Sequence, residues 1–216
     1  MATIDKAVAG LINKACKEAA KSLGSSLMNI GRINAGSNYP IAERNTVVHL
    51  ASAFMSHGLD VYAEAKIKGR PKNDRLAHID LLAYGPIPGH RGKTVAIPIE
   101  AKAMGPHHLG RLMRDIRRIR NYEPAASELV GHEDTGKELH FWEKSIRYGL
   151  FVLQAHRKQD YIDDWQARVR EPKEFFKRIK EETGRRIASG SALAVEEKRW
   201  PGCKAVHLLW VAFRLP

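Results

Sequence analysis

Cysteine is almost absent from the chain: Cys16 and Cys203 are the only two in 216 residues. Their spacing fits no paired or clustered motif, so neither a disulfide framework nor a zinc site is expected. No apolar run approaches the roughly 20 residues of a membrane span. The opening MATIDKAVAGLINKACKEAA mixes charged and apolar residues and lacks the continuous apolar segment of a secretory signal. Internal repeats and low-complexity tracts are missing as well. What these absences leave is a globular protein with a cytoplasmic home and no membrane partner. Acidic residues are outnumbered, 24 against 36 Lys and Arg, which gives a formal net charge of +12. An excess of that size favours a polyanionic partner and salt-sensitive association, which makes nucleic acid the expected one.

Against this background one stretch stands out. From His78 to Lys102 the chain reads HIDLLAY, a Gly/Pro-rich connection, then TVAIPIEAK. Two β-strands are expected, and each carries charge where a covered sheet wants apolar residues. Asp80 sits inside the first run, while Glu100 and Lys102 end the second. Strand side chains alternate faces, so Glu100 and Lys102 share one face and Ala101 takes the other. If the strands are neighbours, Asp80 lies beside Glu100. A buried carboxylate costs several kcal/mol unless it is paired, and two together repel, which drives one towards protonation. A divalent cation between them removes both costs. Mg²⁺ is commonly held by one or two carboxylates, with water and phosphate completing its shell.

Asp80, some twenty residues of hairpin, and then Glu100-Ala101-Lys102 resembles the PD-(D/E)XK, or restriction-endonuclease-like, nuclease superfamily. The proline of that pattern is replaced here by Ile79. A bare E-x-K carries little weight, since the chain has four, at Glu64, Glu100, Glu171 and Glu196. Only the one at Glu100 ends a long apolar strand and follows another strand with a central Asp. Pro98 is a departure, because a proline inside a central strand removes a ladder hydrogen bond. Either a bulge or pairing that is incomplete on one side is expected there.

The resemblance implies an α/β fold with a central mixed β-sheet of four to five strands flanked by helices, plus an extra N-terminal helix. It divides the chain into an N-terminal helix and loop (1–39) and a nuclease-like domain (40–216). That domain has its core at 40–156 and a C-terminal helix and strand at 157–216. The implied activity is Mg²⁺-dependent endonuclease hydrolysis of phosphodiester bonds, with Mn²⁺ as a substitute and DNA preferred to RNA as substrate. Asp80 and Glu100 hold the metal, with the main chain at Ala101 as a further ligand and Lys102 orienting the attacking water. In the family, the helix before the first strand often contributes an acid and the fourth strand a glutamine. Glu43 and Gln154 occupy those positions. Cutting both strands of a duplex would call for two sites, hence a homodimer. The alternative is a protein that keeps the fold, binds nucleic acid and has lost catalysis.

The remaining elements follow from periodicity. A helix is expected over residues 3–22, then a Gly/Ser/Asn-rich loop over 24–39. A second helix starts near Pro40 and stops at Gly58, and the strand LDVYAEAKI follows, with Glu64 either a further acid of the site or, as the favoured reading, an exposed strand residue. The helix HHLGRLMRDIRRIRNY sets Leu109, Leu112, Met113, Ile116 and Ile119 on one face. The rest of that helix is crowded by Arg111, Arg114, Arg117, Arg118 and Arg120, a surface suited to phosphate. Lys72 and Arg91 lie on basic loops that suit the same partner. RYGLFVLQAH reads as a buried strand, EPKEFFKRIKEET as a helix, and Ala205–Phe213 as a closing strand.

Overall fold

Pairing of apolar strands with amphipathic helices is the main organising force in the computed structural model. It describes residues 2–33, 43–69, 78–102, 109–124, 139–157, 172–183, 185–196 and 205–216. The elements are α1 (Ala2–Ile33), α2 (Glu43–Ser56), β1 (Asp60–Lys66), β2 (His78–Pro86), β3 (Thr94–Lys102), α3 (Leu109–Arg120), α4 (Leu139–Lys144), β4 (Ile146–Arg157), α5 (Pro172–Thr183), β5 (Arg185–Glu196) and β6 (Ala205–Arg214). The strands form one mixed sheet in the order β1-β2-β3-β4-β6-β5. Only β3 and β4 run parallel, and their connection passes through α3 and α4, as a parallel crossover requires.

The sheet has helices on both faces, and alternation along the strands decides which residues meet which helices. Leu81, Ala83, Ile97, Ile99, Ala101, Leu150 and Val152 pack with α1 and α2. Phe151, Leu153, Leu209, Val211 and Phe213 pack with α3 and with Ile179 of α5. A smaller cluster joins Leu82, Ala96, Tyr122 and Trp142. Of the expected apolar face of α3, Leu112, Met113, Ile116 and Ile119 are all buried, while the side chain of Leu109 lies outside the described residues. Gly58 ends α2 with φ 79° and donates to the Met55 carbonyl, a C-cap that only a residue tolerant of positive φ makes cheaply.

Two expectations change. The sheet has six strands rather than four to five, because 185–196 forms β5. Small residues (Ala188, Ser189, Gly190, Ser191, Ala192) give that segment little β-propensity. Its strand character comes from pairing with β6 along most of its length. Secondly, α1 runs on to Ile33, so residues 24–33 are helix and not loop. Gly24 is there for packing: a Cβ would come within 1.8 Å of the Ala194 carbonyl oxygen on β5. The helix packs on the sheet, with Val8, Ile12, Ala15, Cys16, Ala19 and Leu23 buried in the main core against β5 and β6. Its first turn is fastened by Asp5, which accepts from Tyr148 Oη (2.7 Å) and Arg214 (3.2 Å) and pairs with Arg185 (3.0 Å). No helix among the described residues is long and apolar enough to cross a membrane.

Pro98 resolves as incomplete pairing. On the β2 side it pairs with Leu82 in unbroken register. On the β4 side the ladder holds at Ala96–Arg147 and resumes at Ile99–Leu150 with the same offset, skipping the two positions at Ile97 and Pro98. A missing N–H interrupts the ladder without shifting it, so the strand beyond, with Glu100 and Lys102, keeps its alignment.

Candidate active site

The β2–β3 ladder closes at Leu81–Ile99, although both strands continue. The next position in that register sets Asp80 against Glu100. There the strands part, and Asp80 Oδ2 accepts a hydrogen bond from the Ala101 amide at 2.7 Å. A carboxylate thus takes a donor that a neighbouring strand would otherwise satisfy. The irregularity extends to β1. Its register pairs Ala63 with Leu81 and Ala65 with Ile79, which puts Glu64 across from Asp80. Glu64 has φ 50°, the left-handed region that a non-glycine residue seldom adopts. Distorted backbone of this kind is characteristic of functional sites.

Glu100 is fully buried. Arg118, reaching in from α3, donates through Nε to Oε1 at 2.8 Å and through its terminal nitrogen to Oε2. Lys102 Nζ lies 3.7 Å from Oε2. Burial and the neighbouring Asp80 charge push the Glu100 carboxyl up to about 8, against the opposing pull of Arg118 and Lys102. The Arg118 guanidinium is held above its usual range by its bonds to Glu100, with Asp115 and Asp80 adding to the effect and burial opposing it. Asp115 stands one helical turn before Arg118, with Oδ1 at 3.5 Å from the guanidinium. Its Oδ2 is buried and has no hydrogen-bond partner among the described residues.

The expected trio of Asp80, Glu100 and Lys102 is therefore brought together. Ala101 is buried, and its amide is committed to Asp80. Gln154 lies one residue past Leu153, the partner of Lys102, so alternation turns it to the opposite face. There it accepts from Thr46 Oγ1 of α2 at 2.5 Å. Glu43 begins α2, one turn ahead of Thr46, so the first turn of that helix stands over the sheet end where β3 stops. The side chains of Glu43 and Arg111 lie outside the described residues, as does the whole of Lys72.

The arginine face of α3 is divided. Arg118 enters the site. Arg117 and Arg120 bond Glu182 of α5, at 2.6 and 3.2 Å. Arg114 is exposed, as is Arg91 in the β2–β3 turn. Arg118 and Asp115 as parts of the site were missed by sequence reasoning. A signal existed: Asp115 falls among Leu112, Ile116 and Ile119, inside the apolar spacing of the helix. A groove of about 370 Å³ lies along β1 and β2, lined by Tyr62, Leu82 and Tyr122 among others, and it contains none of these charged groups.

Two carboxylates at one fork form a donor set that suits Mg²⁺. Among the described residues no three His, Cys, Asp or Glu side chains are grouped to hold a metal ion. Both oxygens of Glu100 carry Arg118, so a metal would require Glu100 to give up at least one of those bonds. No family model, curated protein or solved structure matches the chain.

Proposed function

We propose that the protein is a metal-dependent nuclease of the restriction-endonuclease-like kind, hydrolysing phosphodiester bonds of nucleic acid, with DNA as the expected substrate. The observation that carries this reading is the fork itself: Asp80 fixed by the Ala101 amide, beside a fully buried Glu100 with Lys102 at 3.7 Å. A fold has no structural need for two carboxylates at a sheet fork, and their mutual repulsion weighs against it. A divalent ion bound by the pair supplies a more acidic coordinated water and neutralises charge on the scissile phosphate.

The chain's own residues do the rest. Asp80 is oriented through one oxygen by the main chain. Glu100 is held rigid by burial. Lys102 shares its face and presents an ammonium to the attacking water or to the phosphate. Arg114 and Arg91, both exposed, contact the backbone without reading sequence. The expected further ligand, Glu43 at the start of α2, has its side chain outside the described residues.

The test is a cleavage panel. Supercoiled plasmid, linear duplex, single-stranded DNA and structured RNA are incubated with the protein in Mg²⁺, Mn²⁺ or EDTA, beside Glu100→Ala. Metal-dependent cutting of one substrate that the variant spares is the expected result. Absence of cutting from the whole panel sinks the reading. A second reading, an inactive nucleic-acid binder, is favoured by the occupation of both Glu100 oxygens by Arg118. Asp80→Ala separates the two. In a nuclease it abolishes cleavage and spares binding, whereas in a binder it changes little.

A further inference from the structure

Arg118 is placed unlike the other described arginines of α3. Arg117 and Arg120 face Glu182 on a neighbouring helix, and Arg114 is exposed. The Arg118 side chain is only 15% exposed, and it feels three carboxylates: Glu100, Asp115 and Asp80. Bidentate pairing on Glu100 uses the oxygens that a cation would need. The arrangement therefore favours exchange over addition.

We infer that Arg118 is an exchangeable cation: it holds Glu100 until a divalent ion takes that carboxylate, then turns its guanidinium to the phosphate that the ion carries. Asp115, one turn away on the same helix, stays within reach and keeps the side chain in the site. The inference rests on the nuclease reading and assigns Arg118 a role there distinct from backbone contact.

The experiment measures Mn²⁺ binding without nucleic acid, by calorimetry, for the wild type, Arg118→Gln and Arg118→Lys. Thermal unfolding in EDTA establishes that each is folded, and Arg118→Lys, which keeps the charge, serves if the glutamine variant does not fold. Removing the competitor tightens Mn²⁺ binding about tenfold in Arg118→Gln, within the usual range of coupling between two ligands. Arg118→Lys, which cannot pair bidentately, falls between. At saturating Mn²⁺, cleavage by Arg118→Gln drops by about 10²-fold, the scale of losing one donor to a transition-state oxygen. A purely structural arginine predicts the opposite sign for the metal, since its loss loosens the site. Unchanged or weaker Mn²⁺ binding in Arg118→Gln, or cleavage unchanged at saturation, overturns the exchange. If the wild type binds Mn²⁺ and Asp80→Asn abolishes that binding while Arg118→Gln leaves it unaltered, only the exchange falls. If folded wild type and Arg118→Gln both bind no Mn²⁺, the metal reading falls with it.

Discussion

Asp5 and Glu100, two of the buried carboxylates, sit in different surroundings. Asp5, 4% exposed, accepts from Tyr148 and Arg214, pairs with Arg185, and fastens α1 to β4, β5 and β6. Glu100, fully buried, meets Arg118 and Lys102 and also a second acid, Asp80. Among the described residues the first cluster is one acid met by three donors, with Oδ2 facing Arg185 as an ion pair rather than a hydrogen bond. The second has donors and a like charge together. Attraction alone builds an anchor. Attraction combined with repulsion keeps a site short of its most stable composition, which is the condition for binding something further.

The largest effect expected from this contrast is on activity. Asp80→Asn keeps an oxygen to accept from the Ala101 amide but removes the charge, so cleavage falls by about 10²-fold or more, on the scale of a lost transition-state interaction. In EDTA the same variant melts higher than the wild type, because the like-charge repulsion is gone. Asp5→Asn behaves in the opposite way. It costs on the order of 2 kcal/mol, less than the 3–5 of a fully buried pair because Arg185 is largely exposed. It leaves cleavage per folded molecule unchanged. Melting curves and single-turnover rates on the two variants check both signs, and a lower melting point for Asp80→Asn would break the comparison.

Next in size is Gly24→Ala. A methyl group there meets the Ala194 main chain at 1.8 Å, where no side chain can swing aside. The helix must shift off β5, and a loss of about 2–3 kcal/mol follows, the upper range for overpacking. For a chain of this length that is a drop in Tm of roughly 4–12 °C. At Gly10, where a Cβ meets nothing within 4 Å, the same change is neutral or slightly stabilising through helix propensity. Thermal melts of the pair show whether the α1–β5 contact is as tight as its geometry.

How legible each region was in the sequence follows from the same chemistry. The fork was readable because charge inside apolar strands has few benign explanations: Asp80, Glu100 and Lys102 were found from their positions in two runs, and the face of α3 from Leu112, Met113, Ile116 and Ile119. The α1–β5 contact was not. Gly24 reads locally as a loop signal, and Gly190 as a break in a strand. In fact Gly190 leaves room for Trp210, whose ring would lie 2.5 Å from a Cβ. A glycine that turns the chain and a glycine that admits a neighbour look alike until the neighbour is known. Arg118 was placed among the phosphate-binding residues because local sequence shows an arginine's helix face, whereas its partner Glu100 comes from the preceding strand.

The effect most specific to the Glu100 cluster is on pH dependence. Burial and Asp80 raise the Glu100 carboxyl from 4.5 to about 8. Between those values the native protein holds a proton that the unfolded chain has released. Stability depends on pH as the difference in bound protons, unfolded minus native, so this group makes stability fall as pH rises from about 5 towards 8. In EDTA the melting temperature declines over that interval, and Glu100→Gln, which cannot titrate, flattens the decline. Saturating Mg²⁺ flattens it too, because an ion on the carboxylate replaces the proton and favours the charged form. An anchor of the Asp5 type predicts no such response to Mg²⁺. If Glu100→Gln and the wild type lose stability in parallel from pH 5 to 8, the like-charge pressure at the fork is absent, and with it the physical distinction between the two buried acids.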